Sequence, residues 1–519
     1  MGVQLKELVQ SAEIEEVQGN IDQQVLGLAY DSRKVKRGDV FFAIAGGQAD
    51  GHDFALRALE QGAAAVVLER RLPLPEDATW VRVRHVRRTM GFWAAGFFSH
   101  PSRRLILVGV TGTNGKTTTT YLLESIFKAA GLTPGVIGTV NYRYRNQVYP
   151  AAQTTPEAVD VQALLARMVD AGVQAVAMEV SSHALAMERV RGLDFEGALF
   201  TNLTRDHLDF HETMESYFFS KSRLFTDYLR TSCKEKKCAV IHGEDPRGAQ
   251  LLAMARESGL NTLSFGNGRQ WDVHPIDYKS DLEGLTGKIR VKDREFSFSS
   301  RLVGAPNLEN LLGAVALASA IGLPLKSIAG GIAALQSVPG RMERVENGRG
   351  FSILVDYAHT PDALDRGLQA VRPLTKGRVI TVFGCGGDRD RGKRPIMGEI
   401  AARLSDLVIL TSDNPRTEDP MSILQEIEQG ARKTGIQKLR ISDFGIRNSD
   451  LEIRKGYSVE PDRRAAIRLA LRQARSEDLL LIAGKGHEDY QILGADRIHF
   501  DDREVVREEL GQSAIDCER

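Results

Sequence analysis

Residues 109–118 read GVTGTNGKTT, and this glycine-rich stretch decides the expected fold. It follows an apolar run at 105–108, which predicts a buried strand, and it precedes residues 121–130, which predict a helix. In such a turn the backbone N–H groups and the helix N-terminus point at an anion, Lys116 adds a positive charge, and Thr117 can bring a hydroxyl group to Mg²⁺. The stretch therefore predicts a site for nucleotide phosphates, although valine replaces the first glycine of the common P-loop pattern.

The length and composition of the chain set its broad class. A chain of 519 residues is too long for one hydrophobic core and predicts about three domains. Lysine plus arginine and aspartate plus glutamate each number 68, and this zero net charge argues against bulk binding to nucleic acid or to a membrane surface. The four cysteines lack the spacing of a metal site, and no apolar segment approaches the length of a membrane span. We therefore expect free thiols and a cytoplasmic protein.

Strands and helices are predicted to alternate along most of the chain, which indicates an α/β fold with three domains. Residues 1–103 are expected to form a small N-terminal α/β domain, and residues 104–338 a central domain on a mostly parallel, mononucleotide-binding sheet. Residues 339–519 are expected to form a Rossmann-like C-terminal α/β domain. Residues 272–302 predict short antiparallel strands that extend the central sheet, and residues 446–461 predict an exposed loop.

Apolar runs and 3.6-residue periodicity give the individual elements. The expected strands are 39–44, 66–68, 105–110, 135–138, 175–180, 197–201, 239–242, 352–356, 378–383, 407–411 and 479–483. The expected helices are 54–61, 121–130, 159–171, 307–321, 397–404 and 422–430. A hinge is expected at residues 338–340, where Val-Pro-Gly separates the last two domains.

Candidate metal ligands follow two of the central strands. Glu179 stands at the end of a predicted parallel strand, where a carboxylate is well placed to hold Mg²⁺ near bound phosphates. Asp206, His207 and Asp209 follow another strand and suggest a second metal position, with a capped turn as the alternative. Lys221, taken alone, indicates a surface lysine on an amphipathic helix.

Four polar loops follow strands of the third domain, at residues 356–361, 384–391, 412–416 and 484–488. Loops at the carboxyl edge of a doubly wound sheet form the usual ligand crevice. Any one of them could be a turn with a helix cap. Together they carry arginines and carboxylates, and this combination predicts a zwitterionic ligand.

These motifs in combination resemble the Mur ligases of bacterial cell-wall synthesis, over essentially the whole chain. The segments at 31–33 and 50–52 are similar to the uridine-binding N-terminal domain of that family, and 112–118 to its ATP loop. The resemblance implies ATP contacts from Gly112, Thr113, Asn114, Gly115, Lys116, Thr117, Thr118, Asn307, Asn310 and Asp356. It implies that the UDP-linked substrate is bound by Ser32, Thr154, Thr155, Ser182 and Arg189.

The resemblance also implies the catalytic set and the metal ligands. The expected catalytic residues are Lys116, Glu179, His207, Lys221, Arg341 and His359. The expected Mg²⁺ ligands are Thr117, Glu179, His207 and Lys221. In this family the lysine at the position of Lys221 is carried as a carbamate, which converts a cation that would repel the metal into an anion.

One tetrad indicates which amino acid the ligase adds. It consists of Asp413, Asn414, Pro415 and Arg416 and is similar to the tetrad of diaminopimelate-adding Mur ligases. Diaminopimelate differs from lysine by one carboxylate, and an arginine can grip a carboxylate with two parallel hydrogen bonds. The remaining positions implied around this ligand are Arg389, Gly484 and Glu488, with Glu488 on the distal ammonium group.

The implied reaction is an ATP-dependent amide ligation. ATP phosphorylates the D-glutamyl carboxylate of UDP-N-acetylmuramoyl-L-alanyl-D-glutamate, the amine of meso-diaminopimelate attacks the acyl phosphate, and phosphate leaves. The alternatives are a lysine-adding ligase of the same family, a folylpolyglutamate-type ligase, and a nucleotide switch that does not need the amine. We expect small-molecule substrates, a monomer, and no nucleic acid or membrane partner.

Overall fold

The computed structural model describes residues 2–10, 14–47, 49–440 and 455–511. Within those residues, three large sheets of five, eleven and six strands follow one another along the chain, and two further sheets have two strands each. Their strands and helices alternate in sequence, as an α/β fold requires. No described helix combines the length and the apolar character needed to cross a membrane.

The N-terminal sheet has the order β2-β7-β6-β5-β4, with β2 antiparallel to β7 and the other pairs parallel. Its strands β5 and β6 are buried along their whole length, because both faces of the sheet are covered. The strands of this region are β1 (Val3–Gln4), β2 (Ile14–Gln18), β3 (Gln24–Val25), β4 (Gly27–Ala29), β5 (Asp39–Phe42), β6 (Ala65–Leu68) and β7 (Trp80–Val83). Its helices are α1 (Leu5–Val9), α2 (Ala55–Glu60) and α3 (Val86–Phe97).

The central sheet has the order β11-β10-β9-β12-β8-β13-β14-β15-β16-β17-β18. Its middle strands are parallel, and β16, β17 and β18 form the antiparallel extension that the sequence predicts. The strands are β8 (Ile106–Thr111), β9 (Pro134–Ile137), β10 (Asn141–Tyr144), β11 (Gln147–Pro150), β12 (Ala175–Glu179), β13 (Gly197–Phe200), β14 (Cys238–His242), β15 (Asn261–Phe265), β16 (Val273–Asp281), β17 (Gly284–Val291) and β18 (Arg294–Ser300). The helices are α4 (Lys116–Ala129), α5 (Ala158–Asp170), α6 (Ser182–Ala186), α7 (Leu208–His211), α8 (Met214–Arg223), α9 (Gly248–Glu257), α10 (Ala305–Ala320) and α11 (Leu325–Ala334).

The C-terminal sheet has the order β19-β20-β24-β21-β22-β23, and all its pairs except β19–β20 are parallel. The loops after β20, β24, β21 and β22 therefore share one edge. The strands of this region are β19 (Glu343–Arg344), β20 (Ser352–Asp356), β21 (Val379–Phe383), β22 (Leu407–Leu410), β23 (Gly456–Val459), β24 (Leu479–Ala483), β25 (Tyr490–Leu493) and β26 (Asp496–His499), of which β25 and β26 form a separate antiparallel pair. The helices are α12 (Pro361–Val371), α13 (Lys393–Leu404), α14 (Pro420–Lys433), α15 (Arg463–Gln473) and α16 (Asp502–Glu509).

Two expectations about elements need correction. The helix expected at 121–130 begins at Lys116, because Gly115 ends the turn and the four threonines that follow Lys116 are all buried against the fold. The loop expected at 446–461 is wrong for Gly456–Val459, which forms β23 and pairs with β22. Residues 446–454 of that expectation lie outside the described residues.

The cysteines fit the expectation of free thiols where they are described. Cys233, Cys238 and Cys385 are unpaired by disulfide bonds. Burial raises the pKa of the Cys238 and Cys385 thiols to about 12, so neither is a thiolate near neutral pH. Cys517 lies outside the described residues.

Candidate active site

The phosphate-binding turn lies between β8 and α4. Gly115 precedes α4 with a φ of 88°, in the left-handed region that favours glycine, and it places no side chain over the helix end. A Cβ atom on Gly115 would lie 2.1 Å from Asn310 Oδ1, and one on Gly112 would lie 1.9 Å from Thr201 Oγ1. The first turn of α4 therefore keeps its backbone N–H groups open toward an anion.

Lys116 is the first residue of α4, and its ammonium group is held at the turn. Its Nζ donates to the carbonyl oxygens of Gly112 and Thr113, each at 2.9 Å. Burial lowers the pKa of Lys116, and the nearby carboxylates of Glu179 and Asp206 oppose that shift. Both hydrogen bonds go to neutral carbonyl groups, so the positive charge remains available to a bound phosphate.

One cavity of about 280 Å³ opens beside this turn, and it is called the P-loop cavity below. Residues of the central and C-terminal regions line it together. The predicted site residues in its lining are Thr113, Asn114, Gly115, Lys116, Thr117, Thr118, Thr154, Glu179, His207, Asn307, Asn310, Arg341, Asp356 and His359. Of the ten expected ATP contacts, only Gly112 is missing from this lining, although its carbonyl group holds Lys116.

Glu179 and His207 bring a carboxylate and an imidazole to the P-loop cavity. Glu179 ends β12, and Thr139 donates its backbone N–H to Oε1 at 3.0 Å and its hydroxyl to Oε2 at 2.9 Å. Burial lowers the pKa of His207 to about 4, so its imidazole is neutral near pH 7. Asp206 lines the same cavity, whereas Asp209 does not. The second position expected from Asp206, His207 and Asp209 is therefore only partly assembled.

Lys221 lies on α8 and is 1% exposed, so its interpretation as a surface lysine is wrong. Its Nζ donates to Gly112 O at 2.8 Å and lies 4.5 Å from the centre of the Tyr217 ring. Burial and the charge of Lys116 hold the pKa of Lys221 well below its usual value. The side chain lies behind the turn and, unlike Thr117, does not line the P-loop cavity.

Arg341, Asp356 and His359 reach the P-loop cavity from the C-terminal region. Arg341 Nη2 donates to Thr117 Oγ1 at 3.2 Å, and its guanidinium carbon lies 4.5 Å from the centre of the Tyr357 ring. Burial raises the pKa of Asp356, whose carboxylate accepts backbone N–H groups, and burial lowers the pKa of His359. The C-terminal region thus contributes a cation and a neutral imidazole to the phosphate turn.

Four of the five residues expected to bind the UDP-linked substrate lie on connected segments of the central region, whereas Ser32 lies in the N-terminal region. Thr154 lines the P-loop cavity, and Thr155 is buried with its hydroxyl donating to Glu179 O at 2.8 Å. Arg189 lies outside the cavity, where its Nη1 donates to Thr155 O at 3.3 Å and its Nε lies 2.9 Å from Glu157 Oε1. Ser182 is buried at the start of α6, and Ser32 is buried in the N-terminal region.

The residues expected around the amino acid lie together at the carboxyl edge of the C-terminal sheet, and none lines the P-loop cavity. Asn414 Nδ2 donates to Glu488 Oε2 at 2.9 Å. Arg416 has a φ of 52°, and its Nη1 donates to a backbone carbonyl at 2.7 Å. Arg389 is exposed on the loop after β21. The other expected members, all buried, are Asp413, Pro415 and Gly484.

Three further residues take part in these sites without having been predicted individually. Thr139 donates hydrogen bonds to both carboxylate oxygens of Glu179, and no sequence motif predicts this role for Thr139. Tyr357 lines the P-loop cavity, and its hydroxyl donates to Glu488 Oε1 at 3.5 Å, so it links the two sites. Lys485 is fully buried among Asp413, Asn414 and Glu488, and only its place in the predicted polar loop 484–488 could have indicated it.

Three models of known protein families match most of the chain. The description "Mur ligase family, catalytic domain" matches residues 24–97, "Mur ligase middle domain" matches residues 110–318, and "Mur ligase, glutamate ligase domain" matches residues 340–486. The second match contains most of the phosphate turn, and the third contains three of the four polar loops at the carboxyl edge of the C-terminal sheet and ends within the fourth.

Individual relatives agree with this assignment. The chain is 48% identical over 505 residues to a UDP-N-acetylmuramoyl-L-alanyl-D-glutamate–2,6-diaminopimelate ligase of Geobacter metallireducens, covering 97% of this chain and 98% of the relative. It is 46% identical over 504 residues to the protein of the same name from Geobacter sulfurreducens, covering 97% of each. A solved structure of a ligase with that name superposes with a TM-score of 0.70 at 33% identity, covering 98% of this chain and 99% of the other. Sequence, fold and phosphate turn agree, and the chain belongs to the Mur ligase family.

Proposed function

We propose that this Mur ligase adds meso-diaminopimelate to the D-glutamyl carboxylate of UDP-N-acetylmuramoyl-L-alanyl-D-glutamate and converts ATP to ADP and phosphate. The two relatives above, named for this ligation, support the choice of substrates over 97% of the chain. The observation that carries the proposal is the P-loop cavity, in which the phosphate turn, Glu179 and His207 face Arg341 and His359 of the C-terminal region.

The side chains around the phosphate turn supply the positive charge that phosphoryl transfer needs. Lys116 and the N-terminus of α4 are proposed to bind the nucleotide phosphates, and Arg341, which contacts Thr117, adds a guanidinium group from the C-terminal region. Asn307 and Asn310 line the same cavity and position the nucleotide. Residues of both regions line the cavity, and we propose that this arrangement limits the access of water to the acyl phosphate before the amine attacks.

The donor set of the P-loop cavity fits Mg²⁺. The hydroxyl of Thr117, the carboxylate of Glu179 and the neutral imidazole of His207 line it together, and each keeps a free electron pair. When bound, Mg²⁺ neutralises phosphate charge and polarises the transferred group. Thr139 prepares this site by holding the Glu179 carboxylate in one orientation.

Lys221 fits the proposed carbamate. Its Nζ and that of Lys116 donate to the same carbonyl oxygen, Gly112 O, at 2.8 and 2.9 Å. Two ammonium groups so close repel each other, and the lowered pKa of Lys221 favours its neutral amine. A neutral amine is the form that adds CO₂, so we propose that Lys221 carries the carbamate. The unmodified amine does not line the P-loop cavity, and the added carboxylate is the group proposed to reach the metal.

The carboxyl edge of the C-terminal sheet supports diaminopimelate as the amine donor. Arg416 and Arg389 are proposed to bind its distal carboxylate, and Glu488 its distal ammonium group, with Asp413 and Asn414 beside them. Pro415 and Gly484 shape the two loops. The tyrosine between this edge and the P-loop cavity, Tyr357, gives the amine a route toward the acyl phosphate.

The three domains are proposed at residues 1–103, 104–338 and 339–519, with the uridine end of the substrate near Ser32. Thr154, Thr155, Ser182 and Arg189 are proposed to bind its muramoyl-peptide part. We also propose that the protein is a cytoplasmic monomer that acts on these small-molecule substrates.

The test is an amino-acid panel with the purified enzyme, ATP, Mg²⁺ and UDP-N-acetylmuramoyl-L-alanyl-D-glutamate. Phosphate release should require meso-diaminopimelate, and the product mass should equal that of the new amide. Preferential use of L-lysine would favour the lysine-adding alternative. Phosphate release at the same rate without an amine would contradict the ligase proposal and support the nucleotide switch.

A further inference from the structure

Lys485 is a buried cation beneath the expected amino-acid site. It follows β24, its side chain is 0% exposed, and it lies beside two carboxylates and an amide. Its Nζ donates to Asn414 Oδ1 at 3.2 Å and to Glu488 Oε2 at 3.4 Å, and it lies 3.5 Å from Asp413 Oδ1. These four residues, Asp413, Asn414, Lys485 and Glu488, are called the Lys485 cluster below.

The charges of the Lys485 cluster do not cancel. Asp413 and Glu488 together carry two negative charges when ionised, and Lys485 supplies one positive charge. Asp413 Oδ1 is buried and accepts no hydrogen bond from any described residue, so it retains an acceptor site. The cluster alone therefore presents one net negative charge, which suits one incoming ammonium group.

The cluster is also connected to the arginine that faces the other end of the ligand. Asn414 Oδ1, which accepts from Lys485, also accepts the backbone N–H of Ile492 at 3.0 Å. Ile492 O in turn accepts the backbone N–H of Arg416 at 3.1 Å. The ammonium-binding groups and the Arg416 guanidinium are thus held at a fixed separation by one hydrogen-bonded path.

We propose that Lys485 determines the specificity of this site for a zwitterionic side-chain terminus. As a fixed internal cation it leaves Asp413 and Glu488 with charge for one ammonium group, while Arg416 takes the carboxylate bonded to the same carbon atom. Lys485 does not touch the ligand; it acts through Asp413, Asn414 and Glu488 as a positioning residue. This inference rests on the proposed function, because it names the determinant of amino-acid choice at the same site.

A purely structural role for Lys485 makes a different prediction. If Lys485 only fills space and donates a hydrogen bond to Glu488, its removal would lower the stability and the amount of folded enzyme. The KM of no single substrate would then change selectively. If Lys485 balances charge, its removal leaves Asp413 and Glu488 repelling each other, with two negative charges where one ammonium group binds. The KM for diaminopimelate would then rise selectively.

The first test compares Lys485→Met with the wild-type enzyme in the full ligation assay. We expect the KM for meso-diaminopimelate to rise about tenfold to a hundredfold, with the KM values for ATP and the UDP-linked substrate within twofold. The KM ratio of variant to wild type should be smaller at pH 6.5 than at pH 8.5, because a carboxylate that takes up a proton restores one net negative charge to the cluster.

The second test removes the excess negative charge. Asp413→Asn alone should raise the KM for diaminopimelate, because the cluster loses its net negative charge. Adding Lys485→Met to Asp413→Asn restores one net negative charge and should lower that KM again, so the two changes are strongly non-additive. This comparison remains decisive if Lys485→Met alone does not fold, because the double variant keeps the wild-type net charge in the cluster.

The outcomes separate this inference from the proposed function. A wild-type enzyme without diaminopimelate-dependent phosphate release would overturn both. If the wild type is active, a KM ratio near one at both pH values, or additive effects in the Asp413→Asn and Lys485→Met cycle, would overturn the role of Lys485 alone. A selective, pH-dependent rise with recovery in the double variant would support it.

Discussion

Two lysines from different helices share one backbone carbonyl oxygen at the phosphate turn. Lys116 and Lys221 both donate to Gly112 O, yet only Lys116 lines the P-loop cavity. Burial lowers the pKa of both, and for Lys221 the charge of Lys116 adds to the effect. The two lysines therefore lie in different settings, Lys116 in the lining of the cavity and Lys221 buried behind the turn.

Replacing Lys116 should abolish ligation. In Lys116→Ala the helix N-terminus remains but the ammonium group is lost, and we expect kcat to fall by at least about 100-fold with the fold intact. Lys237→Ala is the matched control, since Lys237 Nζ also donates to two backbone carbonyls, at 2.8 and 3.1 Å, but outside the P-loop cavity. Phosphate release and circular dichroism measure the two effects. Wild-type activity in Lys116→Ala would refute the role of this lysine.

Replacing Arg416 should weaken the binding of diaminopimelate and leave the binding of ATP unchanged. Loss of a charge-assisted carboxylate contact in Arg416→Ala should raise the KM for diaminopimelate by about tenfold or more, with the KM for ATP changing less than twofold. Arg391→Ala, which breaks an exposed ion pair with Glu426, is the control and should leave both KM values unchanged. Equal effects of Arg416→Ala on both substrates would contradict its role as a carboxylate clamp.

His487 should make the fold sensitive to acid. Burial, together with the charge of Arg341, lowers the pKa of His487 to about 3, and its Nδ1 has no hydrogen-bond partner among the described residues. The unfolded chain binds the proton first as the pH falls below the usual pKa of about 6.5, so this residue contributes a loss of about 2 kcal/mol between pH 7 and pH 5. Thermal unfolding of His487→Gln should show a smaller loss over that range. A loss equal to that of the wild type would show that His487 is not responsible.

At the scale of elements, the turn between β8 and α4 depends on glycine where the chain passes close to other atoms. The sequence predicted the strand and the phosphate site, because both follow from local pattern. It placed the helix start five residues late, because threonine is a weak helix former and only the burial of the four threonines after Lys116 stabilises the first turn of α4.

A matched pair of glycine substitutions tests this dependence. Gly115 and Gly131 have similar φ values, 88° and 79°. A Cβ atom added at Gly115 would lie 2.1 Å from Asn310 Oδ1, whereas one added at Gly131 would have no atom within 4 Å. Both substitutions to alanine should cost about 1 kcal/mol of stability through backbone strain, and the overlap with Asn310 should add to the cost at Gly115. Only Gly115→Ala should raise the KM for ATP, by about tenfold or more. Equal KM values for ATP in both variants would contradict the proposed close packing of the turn.

At the scale of the whole molecule, the P-loop cavity exists only because the C-terminal region lies against the central one. Arg341 contacts Thr117, Asn114 Nδ2 donates to Asp362 Oδ2 at 2.8 Å, and Arg366 pairs with Glu309 at 3.0 Å. Arg341, Asp362 and Arg366 all follow Gly340 in the chain. Gly340 packs closely against the C-terminal region, because a Cβ atom at this position would lie 2.0 Å from the backbone nitrogen of His487.

Loosening these contacts should open the molecule without unfolding it. In the double variant Asp362→Ala, Arg366→Ala the two polar contacts are lost, and we expect a larger radius of gyration by small-angle scattering and a severalfold higher KM for ATP. Arg403→Ala is the control, because Arg403 pairs with Asp365 at 3.0 Å within the C-terminal region. An unchanged radius and KM would show that the two contacts do not hold the regions together.

The sequence by itself determined the local features of this protein. Apolar runs fixed strands such as Ser352–Asp356 and Leu479–Ala483 to the residue, and glycine, lysine and threonine in one turn indicated a phosphate site. Such features depend on neighbours along the chain, so periodicity and spacing are sufficient. The loop expected over Gly456–Val459 failed for the opposite reason, because a short polar segment becomes a strand only by pairing with β22.

Only the tertiary structure decided which of the predicted residues meet. It buried Lys221 behind the turn, joined the phosphate turn to Arg341 across more than two hundred residues, and placed Lys485 between Asp413 and Glu488. It also gave Glu179 its partner Thr139, which no motif marks. Burial, charge pairing and the lowered pKa values arise from contacts between distant segments, and spacing along the chain carries no information about them.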